Sequence, residues 1–183
     1  MNHILRNILM RRSTSQFDSR PIQDADLMDI LEEGKVLSNA ANNQEWHFTV
    51  MENRSVLQRL HELYVQFVTE QQGDNSLMAP AHLLLDAPVA IIISGRKETQ
   101  FVEDAANTVF GSMMLVAEKA GVGACWLSSA SALFEMEDGK TFLKDISVPE
   151  GYVPLCMGAF GYKRTSTGVN VLSSEDHVVN IIK

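Results

Sequence analysis

Apolar positions recur along this chain with two periods, one helical and one alternating. Ile4, Leu5, Ile8 and Leu9 mark one face of a short helix at the amino end, with Arg11 and Arg12 in its last turn near the negative end of the dipole. Asp24 is a good N-cap for a second helix carrying Leu27, Ile30, Leu31 and Gly34 on one face. Trp46 to Met51, aromatic and β-branched, reads as a strand. Asn53 or Ser55 then opens the next element, where Val56, Leu57, Leu60, Leu63, Tyr64, Phe67 and Val68 predict a long amphipathic helix from Ser55 to about Gln72. Gly73-Asp74-Asn75 ends it, and Met78 to Asp86 fits neither period.

Ala87 to Ser94 is a continuous, largely β-branched run of the kind found in strands buried on both faces. A helix follows from about Thr99 to Ala120, burying Val102, Ala105, Ala106, Val109, Met113, Val116, Ala117 and Ala120, with Gly121 as its stop. Ala124 to Leu127 and Val153 to Tyr162 supply the remaining strands. This order of elements predicts an α+β fold, a sheet covered by helices.

Composition narrows the picture. With 183 residues, 45% of them hydrophobic, the expectation is one domain over residues 1–183. Fifteen basic against 23 acidic side chains, a net charge of -8, argue against a nucleic-acid partner, so an anionic ligand needs a local basic cluster. The two cysteines, Cys125 and Cys156, sit in apolar runs and read as buried thiols rather than a disulfide. Arg6 and Asn7 interrupt the apolar amino end, and no apolar run approaches a membrane span. The expectation is a cytoplasmic protein without a membrane partner.

Several common chemistries are missing. There is no CxxC or HExxH and the five histidines are scattered, so no metal site is expected. Neither a phosphate loop, nor GxGxxG after a strand, nor a GxSxG elbow occurs. Glu118, Glu135, Glu137 and Asp138 read as solvated charges.

Four segments remain. Arg11-Arg12-Ser13-Thr14-Ser15-Gln16-Phe17 offers guanidinium groups and hydroxyls suited to a phosphate. Ser38-Asn39-Ala40-Ala41-Asn42-Asn43-Gln44-Glu45-Trp46 is rich in neutral donors and acceptors. Gly121-Val122-Gly123-Ala124-Cys125-Trp126-Leu127-Ser128-Ser129 and Val153 to Tyr162, ending in Gly-Tyr, complete the set. Together and in this order they resemble the FMN-dependent nitroreductase family over nearly the whole chain.

The resemblance implies a central, mostly antiparallel sheet, FMN as cofactor, NADH or NADPH as donor, and a homodimer whose two active sites are each built from both chains. It places Arg11, Ser13 and Ser15 at the flavin phosphate and ring edge, with Arg12 beside them. It assigns Ser38, Asn39, Ala40 and Asn42 to a loop reaching the neighbouring subunit's flavin. It assigns the backbone of Ser128 and Ser129 to flavin N5, and Lys163 and Arg164 to the phosphate. No side chain is implied as catalytic, because flavin N5 carries the chemistry.

Implied activity is transfer of two electrons, in ping-pong order, from NAD(P)H to a small-molecule acceptor such as a nitroaromatic or quinone. Two alternatives stand beside it: an FMN enzyme acting on a special metabolite by oxidation, flavin fragmentation or dehalogenation, and a flavin-binding or sensor protein without turnover. Ser15 encourages the last, since it stands where the family usually carries a basic residue. Glu45 and Ser38 also replace customary prolines.

Overall fold

The computed structural model describes residues 8, 11–14, 16–39, 46–72, 86–97, 102–127 and 130–164, without the side chains of 37–39, 71–72, 102–103 and 130. Its elements run α1 (Asp24–Asn39), β1 (Trp46–Met51), α2 (Arg54–Gln72), β2 (Val89–Arg96), α3 (Val102–Lys119), β3 (Val122–Leu127), α4 (Ala130–Leu133), α5 (Glu137–Asp145) and β4 (Tyr152–Tyr162). The four strands form one antiparallel sheet in the order β1-β2-β4-β3.

Strand β2 explains why the central run had to be apolar throughout. Val89, Ile91 and Ile93 point into one core with Leu27, Ile30, Val109, Phe110 and Met113 of α1 and α3. Ala90 and Ile92 point into the other with Leu57, Leu60, Tyr64 and Phe67 of α2 and Phe142 of α5. A strand between two helical layers has no polar face. Pairing slips once, between Ile93 opposite Cys156 and Ser94 opposite Pro154, which leaves Leu155 as an extra residue on β4. Pro154 cannot donate to a ladder, and it lies beyond the reach of β3, whose pairing stops at Met157.

Helix boundaries depart from expectation in physical ways. The first bond of α1 runs from Leu27 N–H to the Gln23 carbonyl at 3.0 Å, so Gln23 occupies the cap and Asp24 and Asp26 place charge in the first turn. Asn53 does cap α2: its Oδ1 accepts from Ser55 N–H at 2.9 Å and Ser55 Oγ at 2.6 Å. Helices α4 and α5 were not expected at all. Only four residues long, α4 is too short to show a period, and Gly139 interrupts that of α5 although it is itself buried in the helix. Glu135, Glu137 and Asp138 are exposed as expected, with the last two in the favourable first turn of α5.

Both cysteines are free and buried, on opposite cores of the sheet. Burial pushes the Cys125 thiol up to about 11 and the Cys156 thiol up to about 12. A raised folded-state value means that the native protein holds the proton more tightly than the unfolded chain. The associated stability is complete below about pH 9 and is lost as pH rises toward the folded values. Denaturant melts from pH 8 to 10.5 should therefore show Cys156→Ala losing less stability with pH than the natural protein, by up to about 1.4 kcal/mol per pH unit. Identical slopes would contradict it.

Candidate functional site

Two distant stretches of sequence meet at one end of β3 and β4. The described residues of 11–18 do not continue a helix: Ile8 is helical, but Arg11 and Arg12 lie outside any helix, contrary to the expected last turn. The chain instead extends alongside the sheet, where Ser13 forms a parallel bridge with Ala124 and Thr14 N–H donates to the Ala124 carbonyl at 2.9 Å. Phe17 forms an antiparallel bridge with Lys163, Asp18 N–H donates to the Tyr162 carbonyl at 2.8 Å, and Arg164 N–H donates to the Gln16 carbonyl at 3.2 Å. Backbone bonds to a sheet edge outweigh an isolated helical turn, which is marginal by itself.

Phe17 anchors this segment. It is fully buried and lies over Gly161, where an added Cβ would come within 3.0 Å of its ring. Gly123 is needed in the same way, since a Cβ there would collide with Thr14 Oγ1 and approach the Lys163 Cγ to 2.9 Å. A glycine inside a strand signals such a close approach. Tyr162 ties the next stretch down: its hydroxyl donates to Asp26 Oδ2 at 3.2 Å and accepts from Gln23 N–H at 3.4 Å, while the Arg20 guanidinium lies 3.9 Å from the ring centroid.

The basic residues brought together are unequal. Arg11 is half-buried and its guanidinium has no ion-pair partner among the described residues. Arg12, exposed, donates to the Arg11 carbonyl at 2.8 Å, Ser13 is exposed next to it, and Arg164, also exposed, joins the segment through its backbone bond to Gln16. Lys163 is committed elsewhere, since its Nζ donates to both carboxylate oxygens of Glu118 at 2.8 and 2.7 Å. Glu118 is thus no solvated charge: its side chain is 17% exposed and neutralised by a residue 45 positions away.

Thr14, which the sequence reading passed over, is the informative neighbour. It is 7% exposed and its Oγ1 has no hydrogen-bond partner among the described residues, and neither do Trp46 Nε1, Thr49 Oγ1 and Ser94 Oγ. A buried hydroxyl without a partner costs about 1–3 kcal/mol. At the other end of β3, Trp126 is 40% exposed and tilts against Phe110 at 6.3 Å, just before Ser128 and Ser129.

Ser15, Ala40, Asn42, Ser128 and Ser129 lie outside the described residues. Ser38 and Asn39 are described by backbone alone, as the last two residues of α1 rather than the start of a loop. A separate groove of about 260 Å³ between α2 and α5, lined by Arg59, Glu62, Leu63, Gln66, Asp138 and Thr141, contains none of the expected residues. No cluster of metal-ligating side chains occurs among the described residues, and no helix among them is long and apolar enough to cross a membrane.

Comparison with known proteins places this arrangement. The model of the Nitroreductase family matches residues 8–162. A protein of Methanothermobacter thermautotrophicus, provisionally named NADH dehydrogenase/NAD(P)H nitroreductase, is 24% identical over 180 residues, 96% of this chain and 85% of the relative. Among solved structures, a nitroreductase with bound FMN from Bacteroides fragilis superposes with a TM-score of 0.86 at 23% identity, each chain covered completely. Another with bound FMN, from Desulfitobacterium hafniense, gives 0.83 at 19% identity over 99% of this chain and 100% of its own. At these identities the superpositions establish the fold.

Proposed function

The chain belongs to the nitroreductase family, and from that premise we propose that it binds FMN at the end of β3 and β4 and acts as an NAD(P)H-dependent oxidoreductase. The observation that carries this reading is the docking of residues 11–18 onto Ala124, Tyr162 and Lys163, which joins the basic start of the chain to the basic end of β4. The residues present fit a flavin phosphate. Arg11 offers a half-buried guanidinium unpaired among the described residues, Ser13 an exposed hydroxyl, and Thr14 a buried hydroxyl without a partner among them.

When bound, FMN supplies a ring that accepts a hydride at N5 from NAD(P)H and passes two electrons to a nitroaromatic, quinone or related electrophile. The chain's own part is binding and orientation. Arg11 and Arg164 would neutralise the phosphate, with Arg12 near Arg11 in the chain, and Ser13 would add a neutral donor. By the family resemblance, Ser15 would serve the ring edge and the backbone N–H groups of Ser128 and Ser129 would serve N5. By the same resemblance, Ser38, Asn39, Ala40 and Asn42 would cover the flavin of a second copy of this chain, which would make the functional unit a homodimer with two shared sites. Anaerobic mixing with NADH and with NADPH tests turnover: flavin absorbance should bleach with at least one donor and return on adding a quinone. Flavin that stays oxidised with both would leave binding without catalysis.

Ser15 favours that second reading, a flavin-binding sensor. Reduced flavin carries negative charge at its N1/O2 edge, and a hydroxyl stabilises that charge less than a guanidinium would. Ser15→Arg should therefore raise the two-electron potential by about 20–45 mV, at about 30 mV per 1.4 kcal/mol. Spectroelectrochemical titration measures it, and an unchanged or lower potential with flavin bound would remove Ser15 from the tuning position.

A further inference from the structure

Resting on the FMN reading, we propose that Glu118 is a specificity-determining residue of the phosphate end, holding Lys163 back so that the site meets its ligand with one positive charge fewer. Three observations carry it. Lys163 binds both Glu118 oxygens at 2.8 and 2.7 Å, with the carboxylate largely shielded and the lysine side chain 40% exposed. Its stem passes over Gly123 next to Thr14, as a Cβ on that glycine would lie 2.9 Å from both Lys163 Cγ and Thr14 Cγ2. Thr14 Oγ1 is buried there without a partner.

The Lys163 ammonium lies three bonds beyond a carbon that borders, with Thr14, the space over Gly123, so rotation of the flexible stem would carry it from Glu118 toward the Ser13–Thr14 backbone. What prevents this is the carboxylate. Glu118 stands in the last turn of α3, where a negative charge is unfavourable beside the helix dipole, and Lys163 relieves that repulsion. A phosphate at Ser13 and Glu118 therefore compete for one ammonium. The pair acts as an internal competitor that loosens anion binding at a site whose basic residues would otherwise grip harder.

Dissociation constants for FMN and for riboflavin, which lacks the phosphate, test this on the natural protein, Glu118→Gln, Lys163→Met and the double variant, with a thermal melt of each. Glu118→Gln should tighten FMN roughly three- to tenfold and leave riboflavin within about twofold. Lys163→Met should weaken FMN by leaving the carboxylate unpaired, and the double variant should return close to the natural value. FMN affinity unchanged in Glu118→Gln, or riboflavin tightening in parallel, would overturn the proposal and leave a purely structural ion pair. Should Glu118→Gln fail to fold, Lys163→Met decides: unaltered FMN affinity there overturns it equally. A natural protein that takes up neither flavin defeats the FMN reading first, and this inference with it.

Discussion

Replacing Arg11 with alanine is expected to weaken FMN binding by about 1.5–3 kcal/mol, roughly tenfold to more than a hundredfold, the worth of a charge-assisted bond to phosphate. Arg11 carries this expectation because it is half-buried and its guanidinium has no partner among the described residues, whereas Lys163 is already neutralised. Arg11→Lys should recover part of the loss, since a point charge replaces a bidentate fork. Quenching of flavin fluorescence on titration gives both constants. Equal affinities for the natural protein and the alanine variant would remove Arg11 from the site.

The second large effect concerns stability. Gly158→Ala should cost about 3 kcal/mol, at the upper end for overpacking, and lower the melting temperature by roughly 6–12 °C. Gly158 sits mid-way along β4, between Ile91 of β2 and Trp126 of β3. An added Cβ would overlap the Phe110 ring and lie 2.7 Å from the Cys125 carbonyl. Phe110 has little room to retreat, being fully buried and held edge-on to Phe160 at 5.5 Å. Phe110→Leu in the Gly158→Ala background should return part of the stability, a coupling that a double-mutant cycle measures. A variant melting within about 2 °C of the natural protein would contradict this packing.

Elements with a sustained period or an uninterrupted apolar run were legible in the sequence. The run at 89–93 announced a strand between two cores, and the heptad-like spacing from Val56 to Val68 announced α2, because burial alone decides those patterns. What escaped was set by tertiary contact. The α5 helix forms despite Gly139 because Phe142 reaches the core, and Arg11 and Arg12 leave the helix because Ala124 and Tyr162 offer backbone partners to the segment that follows. At the site, the meeting of residues 11–18 with 162–164 was legible only through a family resemblance, since no local pattern records contacts so far apart. Glu118 was misread for the same reason: its charge partner lies 45 positions away, just past the end of β4. Gly123 did carry a local signal, a glycine inside an apolar strand, and it marks where Thr14 docks.

The flavin content of the purified protein decides whether this chain holds FMN. The purified protein should be yellow with a flavin spectrum and on denaturation release FMN rather than FAD, as identified by chromatography and mass. A basic cluster around Arg11 suited to one terminal phosphate is the reason. A colourless protein that remains colourless and shows no binding when FMN is added would contradict it.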